Sequence, residues 1–314
     1  WFERFRVNTI GIDQPFDTAS ISGLHRFILK EKCAIPSCHG GTFEPDFRTP
    51  QSAWSTLVWA PVIKNTDDYR FQFRVIPGNV NESWLHERCV TDDPILGRMP
   101  RYADPLSATE LFYLKKWIAD GAKDINGQPA KVMRVPGTLT RQIGYVMTHR
   151  ISPNGGGTRV NQYTLIMDVL VDTSGAGAAS LWQTSSTSNT DDGDLFWQGN
   201  NFGQGNGGYN GTGAFTPGVW HRVVAAYDMA AAQPVVVKYV DGIFQDNWTA
   251  GQGLDNARRS LLPTAILFGD GDQDERRAMW VNSVQIRPNK ISDAEAAWLG
   301  GPSAGKIPVA LPKT

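Results

Sequence analysis

The sequence predicts two domains of different class, an all-α domain over residues 1–127 and an all-β sandwich over residues 138–314, joined by a linker over 128–137. Three observations lead there. A chain of 314 residues is longer than one ordinary core organises and suits two. The 32 glycines are dense between Gly155 and Gly218 and sparse before Gly121. Apolar residues recur at helical spacing in the first half and at every second position in the second, and the period changes across Gln128-Pro129 through Val135-Pro136-Gly137.

In the first half, Leu24, Phe27 and Ile28 lie on one helical stripe between Ser20 and Lys32, with Ser20 or Ser22 as N-cap. This helix delivers Cys33. A second helix is predicted between Ser107 and Ala122: Ser107 caps, Glu110 completes a capping box, Leu111, Leu114 and Ile118 form the apolar stripe, and Gly121 or Gly127 ends it. Loops containing Pro77-Gly78 and Asp92-Asp93-Pro94 lie between. Such loops suit wrapping a flat cofactor.

Cys33-Ala-Ile-Pro-Ser-Cys38-His39-Gly-Gly41 places two thiols and an imidazole after the first helix. Cysteines that add to the vinyl groups of a haem, with a histidine directly after the second taking an axial position on iron, define covalent haem c attachment. The expectation is one covalent haem c, with Cys33 and Cys38 as thioether donors and His39 as iron ligand. Four residues separate the cysteines, where two are usual. Competing readings are a zinc site, which lacks a fourth ligand, a redox dithiol, which wants another spacing, and a disulfide beside a bystander histidine. Met99, in Gly97-Arg98-Met99-Pro100 and sixty residues beyond His39, is the expected sixth ligand; a thioether there raises the reduction potential. Its alternative is a methionine filling a gap in a core. Cys89 reads either as a buried thiol or as a disulfide partner of Cys33, which would leave the haem on Cys38 alone. His25 and His86 are the candidates for a bis-histidine iron.

In the second half, Tyr163, Leu165, Met167, Val169 and Val171 alternate with Thr164, Asp168 and Asp172. Val235 to Val240 runs into Asp241-Gly242, a hairpin turn signal. Trp220 to Tyr227, Ala265 to Phe268 and Met279 to Ile286 add three strands, and many short strands with Gly-rich turns mean a sandwich. A short helix follows, capped by Ser292, boxed by Glu295 and ended by Gly300-Gly301.

Taken together, Leu29-Lys-x-x-Cys33, Cys38-His39-Gly-Gly, Val75-Ile-Pro-Gly-Asn79, Ser83-x-Leu85, Arg98-Met99-Pro100 and Leu106-Ser through Leu114-x-x-Trp117-Ile118-Ala-x-Gly-Ala122 resemble the planctomycete-type, class I-like cytochrome c domain of exported bacterial proteins, over about residues 20 to 124. The resemblance implies an all-α domain with His39 as proximal ligand, Met99 as distal ligand, Cys33 and Cys38 as thioether donors, and Trp117 packing the helix crossing. Asp192-Gly-Asp-Leu-Phe196, Pro217-Gly-x-Trp220-x-Arg222, Tyr239-Val-Asp-Gly242, Phe268-x-Asp270 and Leu299-Gly-Gly-Pro-Ser-Ala304 resemble the laminin G-like jelly rolls of the concanavalin A-like lectin/glucanase superfamily, over about residues 135 to 305. That fold hosts sugar binders, hydrolases and structural modules alike.

Net charge is −1 with scattered basic residues, which gives no footprint for nucleic acid. No apolar run reaches the length of a membrane span. No carboxylate pair of the retaining-glycosidase kind is found, so no catalytic residues are assigned. Asp270, Asp272 and Asp274 alternate like the start of a calcium loop, but Glu275 and Val281 replace the turn glycine and the closing glutamate, which excludes an EF-hand and leaves a looser calcium site. Asp191, Asp192 and Asp194 form a second acidic loop. Trp182, Trp197 and Tyr209 with Asn206 and Asn210 read equally as a sugar-stacking face or as buried aromatics; His149 and His221 read as structural. The function expected is electron transfer by an exported, periplasmic or extracellular protein, with a redox partner protein, the second domain binding a polysaccharide or cell-surface ligand or joining a larger complex or homo-oligomer. Alternatives are a carbohydrate-binding or assembly protein in which haem is secondary, and a haem enzyme with an open iron position.

Overall fold

Capping chemistry places the helices of the first half. The computed structural model describes residues 17–66, 70–137, 144–173, 177–188, 193–204, 214–249, 253–269, 275, 277–303 and 306–309, in two units, Trp1–Ala130 and Lys131–Thr314. In the first unit the Ser20 hydroxyl accepts from Gly23 N at 3.0 Å and starts α1 (Ile21–Leu24), which passes through a π-helical turn (His25–Leu29) into α2 (Lys30–Lys32). The wider turn shifts the helical period, and Phe27, expected on the buried stripe, is 48% exposed while Leu24 and Ile28 are buried. Thr49 and Ser52 cap each other reciprocally ahead of α3 (Pro50–Leu57), with Pro50 at the first turn. Next come α4 (Trp84–Val90) and α5 (Ala108–Ala119), the latter with the Ser107 and Glu110 capping box that the sequence predicts. Gly121, at φ +98°, turns the chain out of α5.

The all-α, class I cytochrome c-like class expected of residues 1–127 is corrected by this geometry. Among the described residues of the unit the longest helix, α5, has 12 residues, and between the described helices the chain is loop, turn and isolated bridges such as Val58 with Val75 and Pro61 with Phe73. Two helical stripes in the sequence do not make the whole half helical. The described chain is mostly β.

The second unit contains β1 (Met133–Val135), β2 (Tyr145–Thr148), β3 (Gln162–Val171), β4 (Ala179–Gln183), β5 (Leu195–Gln198), β6 (Asn201–Gln204), β7 (His221–Asp228), β8 (Val235–Val240), β9 (Ile243–Thr249), β10 (Thr264–Leu267), β11 (Met279–Arg287) and α6 (Asp293–Leu299). They form a sandwich of two antiparallel sheets, ordered β1-β11-β3-β7-β8-β9 and β2-β10-β4-β5-β6. Asp241 at φ +53° and Gly242 at φ +80° make the tight turn between β8 and β9. Tyr163, Leu165, Met167, Val169 and Val171 of β3 enter the core between the sheets, which agrees with the alternation.

The opposite face of β3 is not solvated. Ile166 packs with Val224, Ala226, Ile291, Ala296 and Leu299 under α6, and Thr164 and Asp168 are fully buried. The Thr164 hydroxyl donates to Asn289 O at 2.8 Å and accepts from Ile291 N at 3.0 Å. Asp168 receives both Arg222 Nε (2.7 Å) and Nη2 (2.9 Å). Ser292 caps α6 as expected, but the Glu295 carboxylate pairs with Arg287.

Asp255, at φ +55°, fastens the loop before β3. Its carboxylate accepts from Thr158 N (2.9 and 2.8 Å), the Thr158 hydroxyl (2.8 Å), Arg159 N (2.8 Å) and Asn161 Nδ2 (3.0 Å). These donors, the Asn161 amide foremost, hold its pKa well below the usual carboxylate range. A depressed folded-state pKa adds stability above the unfolded value, near 4, and loses it as the pH falls toward the folded value. Asp255→Asn is therefore expected to lower the melting temperature most at neutral pH, with the gap to wild type shrinking as the solution is acidified through pH ~4 and below. Thermal melts across that series check it; a gap independent of pH counts against the carboxylate.

Candidate functional site

The end of α2 begins the site. Cys33 N and Ala34 N both return to Leu29 O, at 3.0 and 2.8 Å, so the helix closes at Cys33. The following chain folds on itself: Cys38 N and Gly40 N donate to Ile35 O at 2.8 and 3.0 Å, and His39 N donates to Cys33 O at 3.2 Å. The long spacing between the two cysteines is thus taken up as a turn that brings the second cysteine and the histidine back to the first. Gly40 is required there, because a Cβ would lie 2.9 Å from the backbone of Ala34 and Ile35.

This turn borders a cavity of about 550 Å³, within the ~300–1,000 Å³ range of cofactor pockets. Cys33, Cys38, His39, Cys89 and Met99 all line it, among apolar side chains such as Leu24, Ile28, Leu57 and Leu114. The imidazole of His39 is fixed by the chain that follows it. Its Nδ1 lies 3.0 Å from Pro45 O and 3.4 Å from Phe43 O. Both partners are carbonyls, so Nδ1 donates and Nε2 keeps the lone pair. Burial is the main cause that lowers the His39 pKa, with the charges of Arg74 and Arg88 adding to it and the two carbonyl contacts opposing. The ring is therefore held neutral, as a metal ligand must be.

Met99 is presented by α4. Asp93 caps the preceding loop through its carboxylate, which accepts from Ile95 N at 2.7 Å. Leu96 is buried against Phe71 and Trp84, and Gly97 turns at φ +72°. Arg88 at the end of α4 then grips the loop twice, accepting from Met99 N at 2.6 Å and donating Nε to Gly97 O at 3.1 Å. Desolvation pushes the thiols of Cys33 and Cys89 up to about 12. Thiols held protonated are unsuited to a redox dithiol or to thiolate metal binding.

These donors fit a haem better than the rival groups. A neutral imidazole, a thioether and two thiols facing an apolar space suit an iron porphyrin with vinyl substituents, whereas a bare hard cation would need oxygen ligands. Among the described residues no group of three or more His, Cys, Asp or Glu is placed to hold a metal ion. All three cysteines are free, so Cys33 and Cys89 are not joined. His25 Nε2 donates to Phe47 O at 2.9 Å and does not line the cavity, nor does His86. Trp117 is buried at the α5 end, with its indole donating to Lys123 O at 3.1 Å.

In the sandwich, Trp182 and Trp197 are buried in the core, which removes them from a sugar-stacking face. His149 and His221 are structural: His149 contacts Leu262 O and accepts from Ile151 N, and His221 sits between Asp241 and Thr216 N. Asp191, Asp192, Asn206, Tyr209, Asn210, Asp270, Asp272 and Asp274 lie outside the described residues. Among the described residues no helix is long and apolar enough to cross a membrane. Sequence reasoning missed the cavity arginines Arg74 and Arg88, which no motif marks.

No family model matches the chain, and no curated protein matches it, so neither resemblance drawn from the motifs has a match at family level. Solved structures similar to it include a heptameric SAP-like pentraxin from Limulus polyphemus, with 11% identity, a TM-score of 0.41, and coverage of 54% of this chain and 81% of that chain. Another is the CBM40 of Ruminococcus gnavus IT-sialidase bound to sialyllactose, with 13% identity, a TM-score of 0.38, and coverage of 54% and 98%. The botulinum neurotoxin serotype G binding domain gives 10% identity, a TM-score of 0.36, and coverage of 56% and 43%.

Proposed function

We propose that the first unit carries one covalent haem c and works as an outer-sphere electron carrier. The observation that carries this reading is the meeting of Cys33, Cys38, His39 and Met99 on one apolar cavity, with His39 Nδ1 committed to Pro45 O and Nε2 left as the donor. Cys33 and Cys38 would hold the porphyrin, and His39 and Met99 would hold the iron. When bound, the haem supplies a one-electron iron couple. The chain supplies the rest: Pro45 fixes the imidazole, Arg88 fixes the methionine loop, and the apolar lining excludes water. With His39 and Met99 both as ligands the iron would have no open position, which favours a carrier over a haem enzyme. Haem c is attached outside the cytoplasm, which makes the protein an exported one that meets a redox partner protein. The sandwich, with its own core and its own cover in α6, serves attachment to a polysaccharide or cell surface, or assembly into a larger complex.

A visible and near-infrared spectrum tests the ligands. The oxidised protein is expected to show the weak sulfur-to-iron charge-transfer band, and Met99→Ala is expected to lose it and to gain carbon monoxide binding in the reduced state. Rapid carbon monoxide binding and saturable peroxide consumption by the wild type would instead favour an enzyme.

A further inference from the structure

We infer that Arg74 is an anion-binding group of the cavity and takes one carboxylate of the cofactor, an inference that rests on the haem reading above. Arg74 is 6% exposed and lines the cavity. Its backbone is fixed between the bridge of Phe73 to Pro61 and that of Val75 to Val58, with Arg74 N donating to Ala60 O at 2.7 Å. One corner of the guanidinium is tied down: Nη1 donates to Thr56 O and to Glu44 Oε2, each at 2.8 Å. Among the described residues Nε and Nη2 have no hydrogen-bond partner.

That leaves a buried cation half satisfied. Its one carboxylate partner, Glu44, has a side chain that is 60% exposed, so water screens that pair. The free edge, Nε with Nη2, is one that meets a carboxylate through two parallel hydrogen bonds. The other cations on the cavity are committed or differently placed. Lys32 pairs with Glu110 at 2.8 Å, Arg88 Nε serves Gly97 O, Arg101 stacks over Tyr102, 5.3 Å from the ring centroid, and Lys64 is exposed at the surface. A haem carries two carboxylates on an apolar disc, and Arg74 offers one buried, fixed point for the first of them. The Thr56 carbonyl then sets the position of the guanidinium, and the carboxylate in turn sets which way round the disc enters.

The test uses the full chain made without haem attachment, titrated with metal-free protoporphyrin IX and with its dimethyl ester, binding being read by porphyrin fluorescence. Without iron, His39 and Met99 contribute no coordination. The diacid is expected to bind about tenfold tighter than the diester or more, the worth of a charge-assisted pair. Arg74→Gln should erase the preference and Arg74→Lys should keep part of it. Equal binding of diacid and diester by the wild type overturns the inference without any variant having to fold, as does a preference that survives in Arg74→Gln or a failure of both porphyrins to bind. The mass of the exported chain decides the haem reading separately: one haem attached with no diacid preference removes Arg74 alone.

Discussion

Cys38→Ala is expected to abolish covalent haem, whereas Cys33→Ala is expected to leave a fraction held by one thioether. The two thiols differ in how they are placed. Cys38 is locked beside His39 by the turn whose amides close on Ile35 O, so the atom that anchors the porphyrin and the atom that ligates iron move together. Cys33 stands at a helix end, with Cys89 lining the same cavity and available as a replacement thiol. The denatured wild-type mass should exceed the polypeptide by one haem. An unmodified wild-type mass would end the haem reading, and equal loss in the two variants would end the asymmetry. Peptide mapping that found Cys33 linked to Cys89 would leave Cys38 as the single attachment.

The second large effect is on stability. Asp168 and Arg222 are 0% and 2% exposed and joined by two hydrogen bonds of 2.7 and 2.9 Å, while Arg222 also donates to Leu299 O and Lys306 O. Removing one partner strands the other charge in the interior. Arg222→Met is expected to cost about 3–5 kcal/mol, which lowers the melting temperature of a unit of this size by roughly 6–20 °C. Replacing both residues by apolar ones of similar volume should recover much of that loss, because desolvation offsets most of the pair's attraction. Calorimetry of the single and double variants decides; a single-variant loss under about 1 kcal/mol would place the pair among solvated surface bridges.

What the sequence conveyed was mostly local. Ser107 with Glu110 and Ser20 with Gly23 are visible as caps because a cap is made within four residues of itself. The inward set of β3 is visible because strand alternation is a local period. The cap of α3 is equally local, in Thr49-Pro50 and Ser52, but lies outside the two predicted helices, and β9 lies beyond the predicted turn. Other features depend on distant partners. The second face of β3 is buried because α6 packs on it from more than a hundred residues away, and Phe27 leaves its stripe because of a π turn that no residue announces. The class of the first half does not follow from its two helical stripes, because loops and bridges dominate the region between them. Within the site, Cys33, Cys38, His39 and Met99 carried chemical signatures in their spacing. Arg74 did not: its place follows from the Val58 and Val75 bridge, which joins segments with no common pattern.

The strand order of the larger sheet gives the two units different folding schedules. Met133 to Val135 pair with Val281 to Met279, and β3 pairs with β11 along most of its length, so the central strands wait for residues that leave the ribosome late. The first unit draws its cavity from the segment between Leu24 and Leu114 and can close well before that. Long-range pairing is slow because loop closure precedes the contacts that reward it. During that interval the face of β3, β7 and β8 that α6 later covers, with Ile166, Val224 and Tyr239, is open to other chains. The same late helix that completes the sandwich thus ends its period of greatest exposure to aggregation.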